Sequence, residues 1–494
     1  MQSPLAEPGG GEPWPWEGLS GGRWLGRLLV AAILLAWVWV LATWPVTLAA
    51  MLLVAAIAGV GILIRPVLGL VLVAFAIPFG SLRRLSFGGA ALGPQDVLLA
   101  ATAAAWLARQ LVRRRLDLRW PSLAGVGLVL VGVMLASFLP ATALGPAVKE
   151  LVKWVELVLA LVLVVNLADR AGVTLLALGL LAAGAAEGLL GLYQFVARVG
   201  PPGFLLMGRF MRAAGTFDQP NPYGGYLGMT LPLAAGLVLT VWPGRGWRAN
   251  RRLAALWLAA AAAGVLMLGG LVASWSRGAW IGAVAAVAAV VLARGGAWLR
   301  GALAGVLLAA TLCILVLGRI PVPGFLQARF ADLAADLVIL DVRNVEVTDA
   351  NFAVVERAAH WYAAWEMFSD HPWTGVGLGN YATVYEHYAL PRWPEALGHA
   401  HNYYLNIAAE AGLPGLTAYL LWMAAGLWVI ARAVRGSQGL EQGLALGALG
   451  LWVHLAVHSM FDNLYVHGMA IHVGLLLGMA AWVALGNRRR EAWV

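Results

Sequence analysis

Residues 121–139 read PSLAGVGLVLVGVMLASFL and hold no charged side chain. A run of about 18 or more such residues is long enough to cross the roughly 30 Å hydrocarbon core of a bilayer as a helix. Similar runs follow one another along most of the chain. In hydrocarbon the backbone polar groups of each run must be satisfied inside a helix. The sequence therefore predicts an all-α fold, a polytopic bundle of transmembrane helices.

The composition of the whole chain agrees with a membrane protein. Of the 494 residues, 61% are hydrophobic and 12% are charged, whereas soluble domains carry about 25% charged residues. The formal charge of +9 comes almost entirely from arginine, since Lys149 and Lys153 are the only lysines. Most arginines lie in short loops between apolar runs, a pattern that favours membrane lipids over nucleic acid as partners. The single Cys313 excludes a disulfide framework.

The apolar runs predict about twelve to fourteen spans, because the short runs between 47 and 80 could merge. Their approximate bounds are 24–45, 47–64, 66–80, 96–113, 121–139, 147–167, 172–197, 223–242, 253–274, 278–294, 299–318, 413–433, 442–460 and 463–485. The predicted domains are a cytoplasmic tail at 1–23, a bundle at 24–318 with an external loop at 198–222, an external subdomain at 319–412, and C-terminal helices with a short cytoplasmic tail at 413–494. Within the subdomain, a helical-looking run extends from Ala353 to Phe368.

The arginine clusters predict the orientation of the bundle. With an even number of spans they all fall on one side, which the positive-inside rule makes cytoplasmic. These clusters lie at 113–119, 245–252, 294–300, 432–435 and 488–490. Both termini are then cytoplasmic, and the two long connections are external together with the turns at 276–277 and 461–462.

Two arginine sites lie on the predicted external side. Arg209 and Arg212 stand in a turn-rich loop shortly before Asn221, and Arg277 lies in a turn so short that it sits at the membrane boundary. A guanidinium binds phosphate oxygens through two parallel hydrogen bonds and keeps its charge. These arginines are candidates for binding a phosphate. The alternative is an arginine that reaches toward lipid headgroups or simply occupies a turn.

Histidines supply the candidate base. His399 and His401 come just before a segment with helical spacing, and imidazole titrates close to neutral pH. His454, His458 and Asp462 follow one another at intervals of four, so they would share one face if the helix persists. The alternatives are a hydrogen-bonded loop or a metal site for the first pair, and a polar network between helices for the second group.

Cations and a base on one face match the needs of glycosyl transfer from a pyrophosphate donor. Cations stabilise the departing pyrophosphate, and a base takes the proton of the attacking hydroxyl. Pyrophosphate leaves as a weak base, so the reaction does not require a general acid.

Five short motifs carry a resemblance to a known family. They are RAAGTFDQPN at 212–221, SRGAW at 276–280, GVGLG at 375–379, HN at 401–402 followed after nine residues by GLPG at 412–415, and HSMFDN at 458–463. Together they resemble the O-antigen ligase and O-antigen polymerase family of bacterial membrane glycosyltransferases. The resemblance covers roughly residues 200–465, and the spacing between HN and GLPG is its most specific part.

The resemblance implies a GT-C-like helical bundle in the bacterial inner membrane, acting as an inverting transferase without a metal or other cofactor. The donor would be a glycan on undecaprenyl pyrophosphate, with Arg212 and Arg277 binding the pyrophosphate and His401 activating the acceptor hydroxyl. Supporting residues of weaker assignment would be Arg209, Asn221, His399, Asn402, His458 and Asp462. The acceptor would be the lipid A core in a ligase of lipopolysaccharide biosynthesis, a growing polysaccharide in a polymerase, or a protein.

Two other classes of protein compete with this interpretation. A transporter or flippase for lipid-linked polysaccharide also needs a cationic cavity, but transporters usually keep their key polar groups near the membrane midplane. An intramembrane metallopeptidase using His399, His401 and His458 is disfavoured, because the sequence contains no His-Glu-X-X-His run.

Overall fold

A computed structural model describes residues 22–294 and 351–491, apart from 81–84, 88–89, 207, 243 and 245–249, together with isolated residues between 296 and 347. The predictions for the tail at 1–21 and for almost all of the span at 299–318 lie outside the described residues, as does Cys313.

Helices make up nearly all of the described chain. In chain order they are α1 (Gly22–Thr43), α2 (Val46–Ile64), α3 (Val67–Phe79), α4 (Pro94–Val112), α5 (Ser122–Ala136), α6 (Leu144–Leu167), α7 (Arg170–Ala197), α8 (Pro220–Thr240), α9 (Arg251–Ala273), α10 (Arg277–Arg294), α11 (Phe352–Asp370), α12 (Tyr381–Tyr388), α13 (Tyr403–Arg435), α14 (Gly439–His458) and α15 (Met469–Glu491). Two short antiparallel pairs of strands complete it, β1 (Leu85–Phe87) with β2 (Ala90–Leu92) and β3 (Leu205–Leu206) with β4 (Phe210–Met211).

The predicted fold class is confirmed, because every predicted span other than 299–318 coincides with a described helix. Among the described helices, seven are long and apolar enough to cross a membrane by length and composition. These are Val46–Ile64, Arg170–Ala197, Arg251–Ala273, Arg277–Arg294, Tyr403–Arg435, Gly439–His458 and Met469–Gly486. The protein is therefore a polytopic helical membrane protein.

The chain forms two compact units, Met1–Ile64 and Arg65–Val494. In the second unit, α8, α10 and α14 pack closely through small residues. Gly228 of α8 and Gly282 of α10 lie against the ring of His454, and a Cβ atom at Gly228 would stand 2.0 Å from that ring. Only glycine allows this approach, so the sequence places it where the helices meet.

The helices α11 and α12 pack around small apolar clusters of their own. One cluster holds Ala363, Met367, Tyr381 and Tyr385 together with part of α13, and another lies around Val355, Ala359 and Trp393. The run predicted to be helical from Ala353 to Phe368 is α11. Both clusters are distinct from the large apolar cluster formed by the other helices.

A break in α13 explains the GLPG motif. Gly412 adopts φ 64° and ψ −166°, a conformation that side chains rarely allow. Leu413 N donates to Pro372 O at 2.7 Å, and a Cβ atom at Gly412 would lie 2.7 Å from the carbonyl carbon of Trp373. The glycine lets the segment after α11 pass against the helix. Because α13 starts at Tyr403, it begins well before the span predicted from residue 413.

Candidate active site

The candidate site lies where several helix ends meet in the second unit. At this end, called the site end below, α8, α10 and α13 begin and α9 and α14 finish. Ala213 N donates to Ala273 O at 2.9 Å, and Tyr403 N donates to Ser459 O at 2.8 Å. Gly278 lies against His458, with its Cβ position 2.9 Å from the ring. These contacts bring together segments that are distant in the sequence.

Arg212 is fixed between two of these segments. Its Nε donates to Ser274 O at 3.1 Å, and its Nη2 donates to Asn221 Oδ1 at 3.0 Å. Its backbone N donates to Phe204 O at 3.0 Å beside the β3–β4 pair. The candidate residues Arg212 and Asn221 are therefore in direct contact, and the guanidinium is anchored at the start of α8.

The turn between α9 and α10 joins the second arginine to the first. Trp275 has a left-handed backbone, φ 53°, which reverses the chain between the helices. Ser276 N donates to Ser274 Oγ at 3.2 Å, while Ser274 O receives Arg212. Arg277 is the first residue of α10. Arg212 thus contacts the turn that leads directly into Arg277.

Arg209 has a different setting. Its side chain is exposed, and its guanidinium carbon lies 5.3 Å from the ring centroid of Phe210. Phe210 in turn packs against Trp275, with ring centroids 5.3 Å apart. This is a cation–π contact at the surface, so Arg209 fits the alternative of an interfacial arginine better than a phosphate ligand.

The candidate base lies beside a carboxylate. His401 Nδ1 is 3.4 Å from Asp462 Oδ1, and His399 Nε2 is 3.6 Å from the same oxygen. Asp462 is buried, and the two imidazole rings lie 4.4 Å apart in an edge-to-face arrangement. The structure therefore joins three predicted residues whose pairing the sequence alone did not give.

A hydrogen bond fixes the proton of neutral His399, and the nearby carboxylate favours one position for the proton of His401. The backbone N of His401 donates to His399 Nδ1 at 3.1 Å, and a backbone N–H is always a donor. The proton of neutral His399 must then lie on Nε2, facing Asp462. The carboxylate likewise favours a proton on Nδ1 of His401, which leaves Nε2 of His401 with the lone pair that a general base needs.

Burial and charge both act on these groups. Burial lowers the pKa of His399 to about 4, against the opposing effect of Asp462. Burial by itself raises the pKa of Asp462, but its interactions with the neighbouring His401, His399 and Arg357 hold this pKa well below its usual range. At neutral pH the site therefore contains an ionised Asp462 and a neutral His399.

Two residues of α11 belong to the site and were missed by the sequence analysis. The ring of His360 lies 5.6 Å from that of His401, and its Nδ1 lies 3.0 Å from Tyr381 Oη. Burial lowers the pKa of His360 to about 3, with a further contribution from His401. Arg357, one turn earlier on α11, lowers the pKa of Asp462. Their spacing of three residues on a predicted helix was the available signal.

Asn402 has a structural role in the helix that follows. Its side-chain oxygen accepts Tyr404 N at 3.0 Å and Leu405 N at 3.1 Å. Asn402 is thus the N-cap of α13, a position that asparagine favours strongly. In the HN motif, the histidine faces the carboxylate and the asparagine starts the helix.

The helix that carries His454 and His458 ends earlier than the shared-face prediction required. α14 finishes at His458, so Asp462 lies in the turn after it and Asp462 N donates to His458 O at 3.1 Å. The helix does not persist to Asp462, so the condition under which the three residues would share one helical face is not met. His458 Nδ1 lies 3.2 Å from His454 Nε2, and both rings are buried among the glycines of α8 and α10.

The GVGLG segment packs against the first part of α13. Gly377 N donates to Glu410 O at 3.0 Å, and Tyr381 N donates to Glu410 Oε1 at 3.2 Å. A Cβ atom at Gly375 would lie 2.3 Å from the carbonyl carbon of Glu410. These glycines therefore allow close packing against the first part of α13, and the carboxylate of Glu410 takes the backbone donor that a phosphate would use.

The distances alone would also permit a metal ion. One ligand atom each from His399, His401 and Asp462 lies within 4.8 Å of the others. If a metal bound His399 Nε2, the proton of the neutral ring would have to lie on Nδ1. That proton would point at the backbone N–H of His401, which donates to Nδ1 in the structure. The donor set therefore fits acid–base chemistry better than metal ligation.

A comparison with protein families identifies this region. Residues 262–420 match the family described as O-Antigen ligase. This match supports the resemblance of the chain to the O-antigen ligase family. The match runs from α9 into α13 and includes Arg277 and His401, whereas Arg212 and Asp462 lie outside it. A comparison with curated proteins gives no match.

The match to the O-antigen ligase family supports a membrane glycosyltransferase-like function in general terms. A membrane glycosyltransferase of this kind acts between a lipid-linked glycan and an acceptor. The site end holds Arg212 against the turn before Arg277, and it holds His401 beside Asp462. Cations and a histidine base are groups that such a transfer uses.

Proposed function

We propose that this protein, which is similar to the O-antigen ligase family over residues 262–420, transfers a glycan from undecaprenyl pyrophosphate to an acceptor hydroxyl at the outer face of the bacterial plasma membrane. The observation that carries the proposal is the His401–Asp462 pair, with Nδ1 and Oδ1 3.4 Å apart, at the same end of the unit as Arg212 and Arg277. The reaction inverts the anomeric carbon and uses no metal ion.

On the donor side, Arg212 and Arg277 bind the pyrophosphate oxygens. The bond between the anomeric carbon and the phosphate oxygen breaks, and the electron pair leaves with undecaprenyl pyrophosphate. Preorganised cations stabilise the charge that develops on this leaving group. Arg212 suits the role because Ser274 O and Asn221 already fix its guanidinium, so binding requires little reorganisation.

On the acceptor side, His401 Nε2 takes the proton of the attacking hydroxyl as its oxygen bonds to the anomeric carbon. Asp462 stabilises the imidazolium that forms and keeps the ring oriented, the role that a carboxylate plays behind a catalytic histidine in hydrolases. His360 contributes a neutral ring packed against His401. The proton is released to solvent after transfer, which balances the reaction.

The orientation of the bundle supports an outer-face site. α10 begins at the site end and finishes at Arg294, and α13 begins there and carries Arg432 and Arg435 in its last turn. Basic residues favour the cytoplasmic side, so the opposite ends of these helices face outward. Both termini are cytoplasmic in this arrangement.

Three acceptors fit the same chemistry, because the donor groups and the base do not select among them. The first is the lipid A core, as in an O-antigen ligase. A growing polysaccharide or a protein hydroxyl would make the chain a polymerase or an O-oligosaccharyltransferase. A flippase is disfavoured, since the polar residues gather at helix ends rather than at the midplane.

The test is a transfer assay with the purified full chain in lipid nanodiscs. The donor is a chemically defined oligosaccharide on undecaprenyl pyrophosphate, offered with lipid A core, with the same oligosaccharide or with a peptide. We expect one acceptor to gain the glycan with inverted anomeric configuration, read by NMR, and at an unchanged rate in excess chelator. Movement of the donor across the bilayer without any glycan transfer would contradict the proposal and favour a flippase.

A further inference from the structure

The backbone of the candidate base is in a conformation that needs support. His401 has φ 52°, in the left-handed region, and the next residue, Asn402, is extended at φ −149°. Residues other than glycine rarely adopt the left-handed region, although histidine, asparagine and aspartate do so more often than most. The direction in which the imidazole leaves the chain depends on this conformation.

The support comes from the side chain two residues earlier. His399 Nδ1 accepts the backbone N–H of His401 at 3.1 Å. An asparagine or aspartate makes the same bond in an Asx turn, where its side-chain oxygen accepts the N–H two residues later. His399 therefore closes a turn of this kind with a ring nitrogen in place of an oxygen.

The backbone on both sides of the turn is also tied down. Ala400 N donates to Asn406 Oδ1 at 3.1 Å, and Tyr403 N donates to Ser459 O at 2.8 Å. The bond to His399 is thus one of three that fix this loop, and it is the one that acts on His401 itself.

The other nitrogen of the ring makes a weaker contact. His399 Nε2 lies 3.6 Å from Asp462 Oδ1, beyond ordinary hydrogen-bond length, whereas His401 Nδ1 is closer at 3.4 Å. Burial lowers the pKa of His399 to about 4, so its ring stays neutral near pH 7 and does not exchange protons there. Its defined interaction is with the backbone.

We infer that His399 is a positioning residue, which holds His401 in the conformation for proton abstraction by accepting its backbone N–H in an Asx-like turn. The inference rests on the proposed function of His401 as the base. It assigns His399 no contact with the reacting atoms.

The test compares three substitutions of His399 in the transfer assay. In His399→Asn, the side-chain oxygen can accept the same N–H, and we expect kcat to stay within about threefold of the original protein because the turn persists. In His399→Ala the turn is lost, and we expect kcat to fall by about tenfold to a hundredfold, since a displacement near 1 Å has that effect on a catalytic group. The KM for the donor is expected to change by less than about threefold, because donor binding rests on the arginines.

His399→Gln is the matched control. Glutamine places its amide near the position of Nε2, toward Asp462, but its longer side chain does not close an Asx turn. We expect it to behave like the alanine variant. An active glutamine variant beside an inactive asparagine variant would show that the contact with Asp462 matters instead, and would overturn the inference.

A pH profile of kcat separates positioning from proton transfer. His399→Asn should keep the limb of the profile that reports the base, because His401 is unchanged. Loss of that limb in His399→Asn would assign the proton transfer to His399 and contradict the inference.

The failure of this inference is distinguishable from failure of the proposed function. Full activity in His401→Ala removes the base and therefore the proposed mechanism. An inactive His401→Ala together with equal activities of His399→Ala and His399→Asn, both with unchanged thermal unfolding, contradicts only the role of His399.

Discussion

The molecule contains two histidine pairs that look alike in sequence and differ in their surroundings. His399 and His401 lie in a loop, with 21% and 18% of their side chains exposed, against Asp462. His454 and His458 lie inside α14, 0% and 1% exposed, against glycines of neighbouring helices. A base must reach its substrate and hold its proton on the right nitrogen. Access and a carboxylate partner therefore distinguish the pair that contains the proposed base, and the residue type alone does not.

The largest effect expected from this comparison is at the carboxylate. Asp462→Asn removes the charge that orients His401 and stabilises its imidazolium. We expect kcat to fall by about 10²- to 10³-fold, toward the loss seen when the carboxylate behind a catalytic histidine is made neutral. The measurement is kcat in the transfer assay for Asp462→Asn and for His454→Gln.

His454→Gln changes the other histidine pair and serves as the contrast. It is expected to lower the temperature of unfolding while kcat stays within about threefold, because the ring fills space between helices. Equal losses of kcat in the two variants, with equal unfolding temperatures, would erase the distinction between the pairs.

A smaller effect is expected at the arginines. Arg277→Ala removes a cation from the donor site, and a charged hydrogen bond of about 1.5–3 kcal/mol corresponds to roughly a 10- to 100-fold weaker affinity. Binding of undecaprenyl pyrophosphate to nanodisc-embedded protein measures this directly. The control is Arg209→Ala, because Arg209 is exposed on Phe210. An equal loss of affinity in both variants would show that general surface charge, and not a specific binding site, attracts the donor.

The smallest effect concerns stability and pH at the buried His360. Its pKa in the folded protein is about 3, whereas an unfolded histidine titrates near 6.5. As the pH falls below about 6.5, His360 binds a proton in the unfolded chain but not in the folded chain. The contribution of His360 to the free energy of unfolding is therefore complete above that pH and is lost progressively as the pH falls to the folded pKa. Between pH 7 and pH 5 this amounts to at most about 2 kcal/mol.

Thermal unfolding at pH 7 and pH 5, at one scan rate, measures this loss. The original protein is expected to lose more stability on acidification than His360→Asn does. His371→Asn, at an exposed position at the end of α11, is expected to keep the original slope. An unchanged slope in His360→Asn would mean that His360 is protonated in the folded state or is not buried.

The hydrophobic pattern was sufficient to predict most of the fold. A run such as 121–139 must be helical in a membrane whatever its neighbours are, so α5 could be located from its own residues. The break at Gly412 could not, because it depends on the backbone near Trp373 approaching from another segment. The end of α14 before Asp462 was likewise missed, since spacing alone does not show where a helix stops.

The sequence indicated several candidate residues of the site, but it did not indicate which of them contact one another. Arg212, Arg277 and His401 could be chosen as candidates because polar residues at a membrane boundary are energetically costly and therefore recognisable. The contact between His401 and Asp462 joins positions far apart in the chain, so local spacing held no signal for it. His360 and Arg357 were overlooked because their relation to the site depends on how α11 packs against the bundle.

The measurement that tests the central claim most directly is the transfer rate of His401→Ala together with its affinity for undecaprenyl pyrophosphate. The account predicts that kcat falls by about 10²- to 10⁴-fold, the contribution of a positioned base, while donor affinity stays unchanged. Transfer at the original rate in a folded, donor-binding His401→Ala protein would contradict it.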